Sequence, residues 1–272
     1  DVIANNGAQV TSTGASSIAS LDADGATLTF GDVTVTGKAD VTDGSFAADS
    51  LSAGILAGTD TTIDIEGAVS VAGGSTLTIT DFDAATFTSD STLTVAGGTF
   101  DAALVKAGDV TATNGAQLTS TGASTIASLT SNASTVSFGE LTVNGAASAT
   151  GGSIAANTLS AGDLTGLDTS ITVTGAAIAS LDADNSTLNL GSADVEGLAD
   201  VTGGSLTTTG NFAAGSITTS GTQLTIGGDL TSDGAATLTN TATTAQNVAT
   251  GDLTVSGGSL TAASITGGNT TV

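Results

Sequence analysis

The segment "GSFAADSLS" (Gly44–Ser52) returns as "GSIAANTLS" (Gly152–Ser160) and as "GSLTAASIT" (Gly258–Thr266). Each copy sets one apolar residue five positions before another: Phe46 and Leu51, Ile154 and Leu159, Leu260 and Ile265. A straight strand alternates its faces with period two, so residues five apart point to opposite sides. A corner between two short strands restores both to one interior, and glycine is the residue expected at such a bend.

The surrounding sequence repeats this logic. Short bursts of alternation occur at Val33/Val35, Ile63/Ile65, Leu77/Ile79, Leu93/Val95, Ile171/Val173, Leu224/Ile226 and Leu253/Val255. Thr and other strand-compatible residues fill the gaps, and Gly, Asn, Asp or Ser bound the bursts. Helical spacing is not sustained anywhere. Residues 1–58 align without a gap on residues 109–166, with 35 of the 58 positions identical. "IASLDADGATLTF" (Ile18–Phe30) matches "IASLDADNSTLNL" (Ile178–Leu190) and, more loosely, "IASLTSNASTVSF" (Ile126–Phe138). Offsets of 108, 160 and 52 between the copies point to a duplicated unit of roughly 53.

Strand, corner, strand, corner, without helices or long hairpins, specifies an all-β fold: a parallel β-solenoid. Coils of about 18 residues, some reaching the low twenties, would place three coils in each duplicated unit. About 12–15 coils at roughly 4.8 Å per coil give a length on the order of 60–70 Å. The expected organisation is a single continuous solenoid over residues 1–272. A string of antiparallel sandwich domains is the competing architecture, and it calls for longer strands, aromatic cores and edge prolines.

Composition narrows function. The chain has no Pro, Cys, Met, Trp, Tyr, His or Arg, and Lys38 and Lys106 face 26 acidic residues, for a net charge of −24. Two lysines cannot neutralise a run of phosphates, so nucleic acid is an unsuitable partner. An anionic membrane surface repels such a chain, and no apolar run is long enough for a spanning helix. Without Cys or His, the usual zinc, haem, iron–sulfur and thiol chemistries lack their ligands. The opening "DVIANNGAQV" has no signal-peptide character and reads as a processed start.

The Gly-Ser-Thr-Ala texture, above all "GDLTVSGGSLTAASITGG" (Gly251–Gly268), resembles passenger domains of bacterial autotransporters and filamentous-haemagglutinin-like adhesins. Repetitive surface-layer and giant adhesin proteins share it. The resemblance covers most of the chain and is one of texture, with no signature motif matched. It implies a right-handed β-helix, secretion to the cell surface, and a mechanical or adhesive role. It supplies no site residues.

Candidate sites are few. "GDVTVTGKA" (Gly31–Ala39) imitates a phosphate loop, but it has five residues between its glycines and Ala39 where magnesium needs a hydroxyl. Scattered carboxylates without Trp or Tyr platforms do not make a carbohydrate-processing cleft, so no enzyme is expected. Asp22/Asp24, Asp81/Asp83 and Asp182/Asp184 each set two carboxylates two residues apart. Calcium needs six to eight oxygens, and these pairs are the candidate metal ligands. Their other reading is solvated turn aspartates. Neither the EF-hand loop nor the calcium nonapeptide is matched, and no cofactor is required. "NAS" (Asn132–Ser134), "NST" (Asn185–Thr187) and "NTT" (Asn269–Thr271) fit the N-glycosylation pattern.

The sequence therefore reads as a secreted, non-enzymatic structural protein of a bacterial cell surface: a stalk, a self-assembling filament or a surface-layer component. The alternative is an adhesin passenger region that binds carbohydrate or another surface. Both ends read as ordinary repeat. The expected partners are copies of the chain, stacked head-to-tail or laterally, or the rest of a longer surface chain.

Overall fold

A computed structural model describes all 272 residues. It is all β, without a helix, and parallel strands stack coil upon coil as a β-solenoid of about 15 turns. Two compact units, Asp1–Gly139 and Glu140–Val272, each have this construction.

In the first unit each coil has three faces. The first face carries an inward column of Leu28, Phe46, Ile63, Phe82, Phe100 and Leu118, each paired in parallel register with the next. The second face aligns Val33, Leu51, Val69, Phe87 and Val105. The third aligns Ala39, Leu56, Ser75, Leu93, Val110 and Leu129. The steps from Ser45 to Thr62 and from Leu56 to Ser75 bracket the coil lengths, so no coil reaches the low twenties. The second unit repeats the plan. Ile154, Ile171, Leu188, Leu206 and Leu224 form its first column, and Leu164, Leu181, Ala199, Ile217 and Ala236 its third.

Phe82 and Phe100 stack with centroids 4.5 Å apart and planes 1° from parallel. Phe87 meets both edge-on, at 5.9 and 5.4 Å. Offset and edge contacts of this kind suit the ring quadrupole. All seven phenylalanines are buried, so none is left on the surface.

The corner between the third and first faces obeys a local rule. A residue with positive φ is followed by a small buried one at Gly25–Ala26, Asp60–Thr61, Asn114–Ala116 through Gly115, Ala133–Ser134, Asp168–Thr169 and Asn185–Ser186, and by the half-buried Gly44 after Asp43. Gly, Asn and Asp tolerate the left-handed region best, which explains their recurrence there. At Gly98, with φ of 64°, an added Cβ would stand 2.0 Å from the Ile79 carbonyl of the coil below.

The corner inside "GSFAADSLS" is different from the one expected. The chain turns at Asp49–Ser50, both outside, and Phe46, Ala48 and Leu51 point inward. Glycine is not needed there. Gly44 belongs to the preceding corner, where a Cβ would stand 2.3 Å from the Ala26 carbonyl.

Buried hydroxyls repair the ladder where corners differ in length. Between Asp101 and Lys106 the pairing with the next coil breaks register. There Val105 N–H donates to Ser124 Oγ at 3.0 Å, and Ser120 Oγ donates to the Ala103 carbonyl at 3.1 Å. The two hydroxyls are themselves 2.8 Å apart. These side chains satisfy backbone groups that a regular ladder would otherwise pair.

Candidate functional site: the stacked aspartates

The Asp-Ala-Asp triplets lie on strands, not in turns. Asp22 and Asp24 project outward from Leu21–Asp24 while Ala23 points into the core. Asp182 and Asp184 do the same around buried Ala183 within Ser170–Asp184. In the related segment Thr130 and Asn132 are exposed around buried Ser131. Each pair thus shares one face, with strand spacing between its carboxylates.

Coil stacking adds carboxylates from other coils. Asp22 is in register with Asp40, and Asp182 with Asp200. On the first face Asp64, Asp83 and Asp101 occupy consecutive coils in direct register, with Asp81 next to Asp83 on the same strand. Neighbouring strands are about 4.8 Å apart, so these are close like-charge contacts. A shallow groove in the first unit is lined by Asp64, Glu66, Asp83, Asp101 and Thr121. A second groove, in the second unit, runs past Ala177, Asp194, Glu196, Ala213 and Asp233.

The electrostatic consequence is local. Partial desolvation against the sheet raises the Asp83 carboxyl above its ordinary value, and Asp101, Asp64 and Asp81 push it further. Desolvation also raises Asp200, followed by the charges of Asp182 and Asp184. Asp83 and Asp200 therefore hold protons more tightly than isolated aspartates, and the ladders concentrate counter-ions along two faces. No group of three or more acidic side chains converges in a metal-holding arrangement. The carboxylates line up along faces.

Asp40, Asp64, Asp101 and Asp200 escaped the sequence reading because their partners lie one coil away. The signal was present as a recurring step of one coil length between aspartates: Asp22 to Asp40, Asp64 to Asp83, Asp83 to Asp101 and Asp182 to Asp200. Other polar side chains join coils by hydrogen bonds. Ser50 Oγ donates to Asp32, Ser128 to Asp109 at 2.6 Å, and Ser180 to Asp163 at 2.6 Å. Asn247 donates to Asp229 at 2.8 Å and Ser264 to Asn247 at 2.6 Å.

The remaining motifs find structural roles. "GDVTVTGKA" runs round two corners within Thr27–Thr42, with Val33 and Val35 in the core and Lys38 ion-paired to Asp40. Two of the glycosylation triplets are written by the left-handed corner. In "NAS" Ala133 takes φ of 49° and Ser134 is buried, donating to the Asn132 carbonyl at 2.9 Å. In "NST" Asn185 takes φ of 49° and Ser186 is buried. Comparison of the chain with family models, curated proteins and solved structures gives no match.

Proposed function

We propose that the chain is a non-enzymatic, extracellular structural protein of a bacterial cell surface, serving as a repeat-built stalk, self-assembling filament or surface-layer component. One observation carries this reading. The surface polar side chains form hydrogen bonds from coil to coil, as Ser50–Asp32, Ser128–Asp109, Ser180–Asp163 and Asn247–Asp229 do. They bind the fold to itself.

The textural resemblance to autotransporter passengers and filamentous adhesins supports the surface location, and the β-solenoid is the architecture that resemblance implies. The net charge of −24 suits mutual repulsion between crowded surface fibres. A carbohydrate-binding adhesin draws much of its affinity from exposed rings, and here every ring is in the core.

Negative-stain micrographs of the purified chain, with calcium and with a chelator, test the proposal beside a carbohydrate array. Filaments or ordered arrays without saturable sugar binding are expected. Dispersed particles that bind a sugar saturably would overturn the structural reading in favour of the adhesin.

A further inference from the structure

We propose that the groove of the second unit binds a linear aliphatic polyamine, a methylene chain that carries ammonium groups at intervals. The inference goes beyond the structural role above and does not depend on it, because the site lies within one chain.

The groove follows from unequal corners. Ile178, Val195, Ala214 and Ser232 stack inward in one file, and Leu181, Ala199, Ile217 and Ala236 stack at the start of the third face. Two residues join these files at Ala179–Ser180 and Gly215–Ser216, but three join them at Glu196–Leu198 and Asp233–Ala235. Both ends of each corner stay in register, so the extra residue must loop outward. Glu196 and Asp233 thus stand on the long corners, and Ala179 and Gly215 on the short ones between them. At Gly215 a Cβ would stand 2.5 Å from the Glu196 carbonyl oxygen, so no side chain can fill the groove there.

A second column runs beside the first. Ser160, Ala177, Asp194, Ala213 and Thr231 point outward from the second face in direct register over five coils. At about 4.8 Å per coil the column is about 19 Å long. Between the two columns lies an open groove of about 560 Å³, inside the roughly 300–1,000 Å³ of small-molecule sites. Alanine and glycine make its floor, and Asp194, Glu196 and Asp233 line it. No lysine of this unit answers those charges, since Lys38 and Lys106 both belong to the first unit.

The spread of the charges selects the ligand. Glu196 and Asp233 lie two coils apart, about 10 Å. The acids do not converge as a metal ion requires. A ligand with its charges spaced along an apolar chain fits both features: ammonium groups meet carboxylates, and methylenes cover alanines. The Ser160 and Thr231 hydroxyls, at the two ends, can accept further ammonium hydrogen bonds. A peptide fits less well. The strands under Ala177, Asp194, Ala213 and Thr231 are paired on both sides, so a peptide backbone would find no ladder to join.

Titration calorimetry of the full chain with spermidine tests the proposal, in about 0.1 M salt to screen diffuse attraction. Saturable one-to-one binding is expected, tighter than that of magnesium or methylammonium. The double variant Glu196→Gln with Asp233→Asn should weaken it by about tenfold or more. Asp60→Asn with Asp168→Asn removes the same charge at left-handed corners that suit Asn, and should leave binding unchanged. Ala213→Leu keeps every charge but fills the floor, and should also weaken binding about tenfold or more; circular dichroism checks that each variant folds. Equal weakening by the two charge-removing pairs would reveal an ion atmosphere and overturn the site. So would unchanged binding to folded Ala213→Leu. A trilysine peptide that binds the groove more tightly than spermidine would overturn the polyamine assignment in favour of a cationic peptide.

Discussion

Replacing Asp83 by Asn should stabilise the protein at low ionic strength and near neutral pH. Asp83 stands in direct register between Asp64 and Asp101, with Asp81 two residues away on its own strand. Charges about 5 Å apart in a water-like medium repel by about 0.8 kcal/mol before screening. That agrees with the roughly 0.2–1 kcal/mol expected for directly opposed like charges on a sheet. Two such pairs vanish in the variant, so the gain should be about 1–1.5 kcal/mol. For a domain of this size that is about 2–5 °C in melting temperature. Asn keeps the acceptor that receives the Ala84 backbone hydrogen bond.

Salt and pH separate this cause from others. The folded-state pKa of Asp83 lies above its ordinary 3.8, so the native state binds the proton more tightly than the unfolded chain. The ionised carboxylate therefore destabilises the fold at neutral pH, fully so above the folded pKa. As pH falls through that value the cost fades, and below 3.8 it is absent. The advantage of Asp83→Asn should shrink over the same range. At about 1 M salt the Debye length is about 3 Å, and the part of the advantage due to repulsion should nearly disappear, leaving the part due to desolvation. Thermal melts of both proteins across salt and pH make the measurement. An advantage that salt does not reduce, or none at low salt, would refute the repulsion argument.

Phe87→Ala should destabilise by about 3–5 kcal/mol in urea unfolding, because its ring contacts both Phe82 and Phe100 in the core. Gly98→Ala should cost far more than Gly7→Ala: both have positive φ, but only at Gly98 does a Cβ meet a carbonyl, at 2.0 Å, whereas nothing lies within 4 Å at Gly7. Equal losses in melting temperature would show that the close coil approach at Gly98 is relieved by movement. Ser124→Ala should cost about 1–3 kcal/mol, since it leaves the buried Val105 N–H without its acceptor. Calcium and magnesium at equal millimolar concentration should raise the melting temperature alike, because the stacked aspartates line faces instead of converging. A calcium excess would reveal a built site at Asp22/Asp24, Asp81/Asp83 or Asp182/Asp184.

The strand content was legible because apolar residues recur with period two, as at Val33/Val35 and Ile171/Val173. The coil length was legible as about a third of the roughly 53-residue duplicated unit, and the three "GS" segments showed that the chain turns a corner within each coil. The variable spacing of Gly-Asp dipeptides suggests coils in the low twenties, but it overstates the coil length. Gly31–Asp32 and Gly228–Asp229 open the second face, whereas Gly108–Asp109, Gly162–Asp163 and Gly251–Asp252 open the third. The dipeptide marks two different corners. The aspartate ladders were harder to see because corners vary by a residue. A fixed frame slips, so register must be carried from coil to coil by hydrogen bonds that no local pattern encodes.

Parallel in-register stacking makes every residue choice a choice about a column. A single-coil duplication would set each residue on its own copy. That favours rings, as the stacked Phe82 and Phe100 show, and hydroxyl or amide ladders such as Asp229–Asn247–Ser264. It penalises carboxylates. A duplicated unit several coils long keeps an acidic pair off its own image, and Asp22/Asp24 and Asp182/Asp184 lie many coils apart. Where acids do fall on consecutive coils, as at Asp64, Asp83 and Asp101, partial desolvation and then the repulsion of its neighbours raise the proton affinity of the central one. The long repeat is thus the form of duplication that lets so acidic a chain be copied without stacking its charges, and the Asp83 melts measure the penalty it avoids elsewhere.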